Sequence, residues 1–231
     1  MNQPVEYEQT DARWANVLYT SRGDKSQTIG TSGCGPTCAA MVVATLRPSQ
    51  KETPVTACAY VVEKGYRTAN DGTAWGFFGA YLGSFGIPCR QTASVTEAIA
   101  ALKQGYMVIT AAAKGIWTTG GHFILAWGLS ADGSKVYIHD PNSEASHREL
   151  ANIANYRQEC TQFWLIEERW EDEVEIQELL IKDLDRKTDI AVQAVNLSGS
   201  NYIRLRDVEK LCPVWVDWDG SAPTIRQNFK E

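Results

Sequence analysis

A thiol with the right neighbours stands out in Gly33-Cys34-Gly35-Pro36-Thr37-Cys38, which runs into the small apolar stretch Ala39-Ala40-Met41-Val42-Val43-Ala44. A proline two residues into a helix-forming run is tolerated, because the N–H it lacks has no partner in the first turn. The pattern therefore places Cys34 at a helix N-terminus. There the helix dipole and free backbone N–H groups favour thiolate over thiol, lowering the pKa from about 8.5 toward neutrality. Cys34 reads as a nucleophile. Cys38 follows one turn later on the same face, outside the turn where the dipole acts, and reads as a packed neighbour.

A cysteine nucleophile needs a base within hydrogen-bond reach and a third group that orients the base. The chain has three histidines. His122 follows Gly120-Gly121 and opens the apolar run Phe123-Ile124-Leu125-Ala126-Trp127-Gly128, the pattern of a buried strand. His139 lies within Lys135-Val136-Tyr137-Ile138-His139-Asp140, which alternates as a strand and ends at Pro141-Asn142-Ser143. A hairpin through Ser130-Ala131-Asp132-Gly133-Ser134 brings His122 near Asp140 or Asn142. His122 is the expected base and Asp140 its orienting group. His147, among Ser and Glu residues, reads as solvated.

The elements that must position these groups follow from periodicity. Helices are expected over 34–46, 54–65, 74–85 and 95–104, and strands over 107–113, 123–128, 136–139 and 163–166. Helices followed by an antiparallel sheet make an α+β arrangement. Trp75, Phe77 and Phe78 read first as core, and the glycines around them leave room for cleft-lining contacts.

The motifs Tyr7-Glu8-Gln9-Thr10-Asp11-Ala12-Arg13-Trp14, Gly33-Cys34-Gly35-Pro36-Thr37, Gly121-His122-Phe123 and Asp140-Pro141 occur in this order. In these the chain resembles the papain-fold cysteine peptidases related to bacteriocin leader peptidases, cysteine peptidase family thirty-nine. The resemblance implies a papain-like fold and a Cys-His-Asp site. It assigns Cys34 as nucleophile, His122 as general base and acid, Asp140 as the orienting group and the Gln9 side-chain amide as an oxyanion donor.

Composition narrows the function classes. With 231 residues, 44% of them hydrophobic, the chain can bury one core of this size and a small appendage. Six irregularly spaced cysteines do not form a disulfide framework, and a catalytic thiol requires a reducing compartment of synthesis. No second ligand pair accompanies Cys34 and Cys38, so no metal and no cofactor is expected. The net charge of −6, without clustered Lys and Arg, speaks against nucleic acid as a partner. No apolar run reaches the 18 or so residues of a membrane span and the N-terminus has no signal-peptide pattern, so synthesis in the cytoplasm without membrane insertion is expected.

Acidic residues concentrate late in the chain, with 13 acidic against 8 basic residues from Trp170 onward. The run Glu167-Glu168-Arg169-Trp170-Glu171-Asp172-Glu173 reads as a solvated connector. A catalytic unit over 1–168 and a small C-terminal α/β unit over 169–231 are expected. In the latter, Ser198-Gly199-Ser200-Asn201, then Arg206-Asp207, then Trp215-Val216-Asp217-Trp218-Asp219 resemble the copper amine oxidase N-terminal-like stalk domain. That pattern runs strand, turn, strand, a short helix opened by Arg-Asp, and a strand ending in Trp-Asp. The resemblance implies no copper, and suggests a cell-wall docking or spacer role beside a structural cap. The expected function is a cysteine hydrolase cleaving peptide or amide bonds of bacterial peptidoglycan, as a phage or prophage endolysin-like enzyme acting on the wall after release. A leader-peptide or protein-processing protease of the same fold and a catalytically inactive binding module are the alternatives. Oligomeric state is not legible in the sequence.

Overall fold

A computed structural model describes residues 3–69, 72–142, 145–170, 177–183, 188–197, 200–203, 214–218 and 223–227. The chain forms two compact units, Met1–Glu171 and Asp172–Glu231.

The first unit begins with helices. A short α1 (Ile29–Ser32) leads through Gly33 into α2 (Cys34–Leu46), followed by a 3₁₀ turn (Pro48–Gln50), α3 (Pro54–Glu63) and α4 (Gly76–Ser84). The uninterrupted apolar character of α2 has a direct consequence: every residue from Gly35 to Ala44 is buried, as expected of a helix that packs on all sides. The N-terminus of α3 is set by Pro54 in its first turn and by the Thr56 hydroxyl, which accepts from the Thr53 N–H at 3.0 Å.

The chain then builds β1 (Cys89–Thr92), α5 (Val95–Lys103), β2 (Tyr106–Ala112), β3 (His122–Leu129), β4 (Lys135–His139), α6 (Ser146–Glu149), β5 (Leu150–Asn152), α7 (Ile153–Glu159) and β6 (Cys160–Arg169). Helix α5 starts at Ser94, whose hydroxyl accepts from the Glu97 N–H. The six strands form one antiparallel sheet in the order β1-β6-β2-β3-β4-β5. Helices cover it on both faces. Met107, Ile109, Leu125, Trp127, Trp164 and Ile166 join the core with α2, α3 and α4. Val108, Ile124, Ala126, Phe163 and Leu165 turn to the opposite face and pack with Ala98, Ile99 and Leu102 of α5 and Tyr156 of α7. Burial on both faces explains why β2 and β3 read as continuous apolar runs instead of alternating ones.

The architecture is the expected papain-like α+β fold. Two local differences have clear causes. Strands β1 and β5 and helices α1, α6 and α7 lie outside the expected elements, because each is short and takes its stability from the surrounding fold. The acidic run at Glu167 begins inside the fold, since β6 continues to Arg169. Glu167 pairs with Arg90 at 2.8 Å, and Glu168 makes two bonds with Arg47 at 2.5 and 2.8 Å. Trp170 sets its ring edge-on to Trp127, with centroids 5.9 Å apart.

In the second unit, β7 (Gln177–Asp183), β8 (Thr188–Leu197) and β9 (Ser200–Ile203) form an antiparallel sheet in that order, and β10 (Val214–Trp218) pairs with β11 (Pro223–Gln227). The short helix expected at Arg206-Asp207 lies outside the described residues.

Candidate active site

Cys34 is the first residue of α2 and Gly33 is its N-cap. A Cβ on Gly33 would come within 2.6 Å of the Ile29 carbonyl oxygen, so the tight junction of α1 and α2 that aims Cys34 requires glycine. Gly35 lets the helix approach β3, where a Cβ would stand 3.2 Å from the Phe123 ring. Burial alone would push the Cys34 thiol up. A hydrogen bond and the charge of His122, with backbone N–H groups of Phe123 and Gly35, outweigh it and hold the thiol below its ordinary value.

His122 opens β3 and is 9% exposed. Its Nε2 lies 2.7 Å from Asp140 Oδ1, and the ring is also hydrogen-bonded to Cys34. Burial works to lower its pKa. The bonds and charges of Asp140 and Cys34 prevail and raise it to about 9. Thiol and imidazole are thus displaced in opposite directions, the sense that favours a thiolate–imidazolium pair. The hairpin of β3 and β4 pairs Leu125 with His139 and carries Asp140 back toward the start of β3. Asp140 is 1% exposed; its Oδ1 also accepts from the Asn142 N–H at 3.0 Å, and its Oδ2 meets the Arg148 guanidinium. Arg148, on the short α6, carried no signal in the sequence pattern, because its role depends on a contact between separate segments.

Gln9 is 4% exposed and lines the same cleft as Cys34 and His122. Its Nε2 donates to the Gly30 carbonyl at 2.9 Å. A primary amide has a second N–H, so this bond anchors the group without exhausting it. The Gln9 Oε1 is buried without a hydrogen-bond partner.

The remaining candidates sit elsewhere. Cys38 is fully buried, and burial pushes its thiol far up. His139 is 3% exposed and turned from the cleft, with Nε2 3.2 Å from the Pro4 carbonyl and Nδ1 3.1 Å from Glu6 Oε1. It fastens the N-terminal segment. His147 is exposed. Phe77 and Phe78 belong to the core, whereas Trp75 is 50% exposed, lines the cleft and rests edge-on against Trp164. Cys58 and Cys160 are buried free thiols, as is Cys38, and Cys89 is a half-buried free thiol; Cys212 lies outside the described residues. Among the described residues, the acidic group that could approach a cation is Glu6, Glu8 and Glu149, and none of these lines the cleft.

The cleft has a volume of about 650 Å³. Small side chains make much of its wall: Thr31 and Ser32 before the thiol, Gly72 and Thr73, Ala111, Ala112 and Ala113 from β2 and the residue beyond it, and Gly120 and Gly121 before His122.

A papain-like α+β fold that sets a helix-terminal thiol against a buried imidazole defines the class: a cysteine peptidase. The chain belongs to the Peptidase_C39 like family, whose model matches residues 9–171. Among solved structures it is similar to the peptidase domain of Streptococcus ComA, described as a bi-functional ABC transporter involved in a quorum sensing pathway. The two are 17% identical, with a TM-score of 0.43, over 60% of this chain and 93% of that domain. Comparison with curated proteins gave no match. Among the described residues no helix is long and apolar enough to cross a membrane.

Proposed function

We propose that the protein hydrolyses peptide or amide bonds in bacterial peptidoglycan, with Cys34 as nucleophile, His122 as acid and base, Asp140 as its orienting group and Gln9 as an oxyanion donor. The observation that carries the chemistry is the continuous chain from Cys34 through His122 to Asp140, opening into a cleft that Gln9 also lines.

The Cys34 thiolate attacks the substrate carbonyl carbon, and the negative charge formed on oxygen is met by the free N–H of Gln9 Nε2 and the Cys34 backbone N–H. His122 gives its proton to the departing nitrogen as the C–N bond breaks, leaving a thioester. Water then attacks the thioester, His122 takes one of its protons, the C–S bond breaks, and a carboxylic acid leaves, losing its remaining proton to solvent, with the thiolate–imidazolium pair restored.

The wall as substrate is supported by the cleft. Walls of Gly, Ala and Thr present little side-chain bulk, so an extended backbone can approach Cys34 closely, as the short, alanine- and glycine-rich peptides of peptidoglycan would. Exposed Trp75 offers an aromatic surface at one edge. The likeness of the C-terminal unit to stalk domains supports docking on the wall.

The test is incubation of the protein and of Cys34→Ala with purified peptidoglycan, with products identified by mass. New amino and carboxyl termini in the stem or bridge peptides are expected with the unaltered protein alone. Intact peptidoglycan together with cleavage of an unrelated polypeptide at one site would replace the wall reading with that of a protein-processing peptidase.

A further inference from the structure

Arg148 is absent from the cleft lining, yet it touches the innermost member of the Cys34, His122 and Asp140 chain. Its Nη2 faces Asp140 Oδ2 and also donates to the Trp117 carbonyl at 2.6 Å. Trp117 returns the bond, its Nε1 donating to the Arg148 carbonyl at 3.0 Å. Trp117 is itself 3% exposed and sets its ring edge-on to Tyr156. It belongs to the loop 113–121, which is held at Ala113 by the Glu159 carbonyl (2.8 Å) and at Ile116 by Glu159 Oε2 (2.7 Å). Thr118, Gly120 and Gly121 of that loop line the cleft, and His122 follows directly.

From this geometry we infer that Arg148 is a positioning residue. It supplies the permanent counter-charge to Asp140 and ties that carboxylate to the loop forming one wall of the cleft. The inference rests on the proposed roles of Cys34, His122 and Asp140. The need for such a residue arises within the reaction. When His122 carries its proton, Asp140 has a cation on Oδ1. Once His122 passes that proton to the leaving nitrogen, the ring is neutral and a fully buried carboxylate would have no counter-charge, an arrangement of high cost. The guanidinium on Oδ2 remains charged throughout.

The same fixed cation sets the direction of an electrostatic effect. Around Asp140 stand His122 from β3, Arg148 from α6, the Asn142 N–H from the following turn and, from α2, the buried and neutral Cys38. Cys34 faces His122 from the other side. Removing the only permanent positive charge in this group makes every proton harder to lose. Both the ionisation of Cys34 and the loss of the His122 proton then move to higher pH.

The experiment follows the rate of Cys34 alkylation by iodoacetamide across pH, read by mass of the Cys34 peptide, in the full chain and in Arg148→Gln and Arg148→Lys. It is paired with peptidoglycan hydrolysis by the same proteins. Arg148→Gln is expected to move the alkylation profile upward by about half to one pH unit and to lower kcat/KM at pH 7 about tenfold. Arg148→Lys restores the profile, because it keeps the charge. It leaves KM raised, because one ammonium cannot hold both Asp140 and the Trp117 carbonyl in the guanidinium geometry.

An unmoved profile in Arg148→Gln overturns the inference, and so does a profile in Arg148→Lys as shifted as that of the glutamine variant. Should the glutamine variant fail to fold, Arg148→Lys decides alone: a shifted profile or an unchanged KM overturns the inference. Alkylation requires no substrate, so the arms separate. Ordinary thiol reactivity of Cys34 in the unaltered protein overturns the proposed catalytic roles and this inference with them. A reactive Cys34 without wall hydrolysis overturns only the substrate, and the pH profile of Arg148→Gln still decides the rest.

Discussion

The backbone N–H of Gln9 donates to the Pro141 carbonyl at 2.6 Å, joining the N-terminal segment to the turn that follows Asp140. The Gln9 side chain crosses to the Gly30 carbonyl, just ahead of the helix that presents Cys34. One residue thereby bridges the segments that carry Cys34 and Asp140, and in the proposed mechanism its second amide N–H is the oxyanion donor. Gln9→Ala is expected to lower kcat about 10²- to 10³-fold with a smaller change in KM, the cost of one oxyanion donor. Steady-state kinetics of Gln9→Ala check this, and a change confined to KM would assign Gln9 to substrate binding.

The two neighbouring cysteines differ in environment, and their variants should differ in kind. Cys34→Ala is expected to abolish hydrolysis and the fast reaction with iodoacetamide at neutral pH. Cys38→Ala is expected to retain both and to cost about 1 kcal/mol in stability, from a small gap in a close-packed helix interior. Alkylation kinetics and urea unfolding of both variants separate these effects. Hydrolysis surviving in Cys34→Ala would remove the nucleophile assignment.

The opposite displacement of thiol and imidazole gives a pH prediction with a definite sign. Cys34 is held below its ordinary value, so kcat/KM rises as pH climbs through that lowered value and the thiolate forms. His122 is raised to about 9, so the rate falls again as the ring loses its proton near that pH. In Asp140→Asn, burial still lowers the His122 pKa, while the carboxylate charge that raised it is gone. The alkaline limb is therefore expected to move to lower pH, with a loss of several orders of magnitude in kcat. Complete pH profiles of the two proteins decide the matter; an alkaline limb moving upward would contradict the arrangement.

The first unit, Met1–Glu171, is compact in itself and holds two hydrophobic core clusters. A chain ending at Glu171 is expected to fold cooperatively and to hydrolyse a small soluble peptide as the full chain does. It is expected to lose activity on intact walls, where docking raises the effective concentration of enzyme at its substrate. Melting temperature and the two activities measured side by side test this. Equal loss on both substrates with a lowered melting temperature would make the second unit a structural cap, and undiminished activity on walls would remove both roles.

What the sequence by itself determined was local. A proline near the start of an unbroken apolar run specified α2 and put Cys34 at its head, and two apolar runs joined by Ser130-Ala131-Asp132-Gly133-Ser134 specified a hairpin with His122 and Asp140 at its open end. Such features rest on helix and strand periodicity and on turn chemistry, which act within a dozen residues or so. Tertiary structure decided the rest. The placement of β6 between β1 and β2 is settled by pairing across the sheet, and the ion pairs of Glu167 with Arg90 and Glu168 with Arg47 draw an acidic run into the fold. His122, the base already expected from its hairpin, lies at the cleft, and the fold supplies the other partners of His139, the Pro4 carbonyl and Glu6. Arg148 meets Asp140 and Trp117 only because a one-turn helix sets it between them. A contact of that kind leaves no periodic trace, since it depends on pairing charges that are distant along the chain and adjacent only in the folded protein.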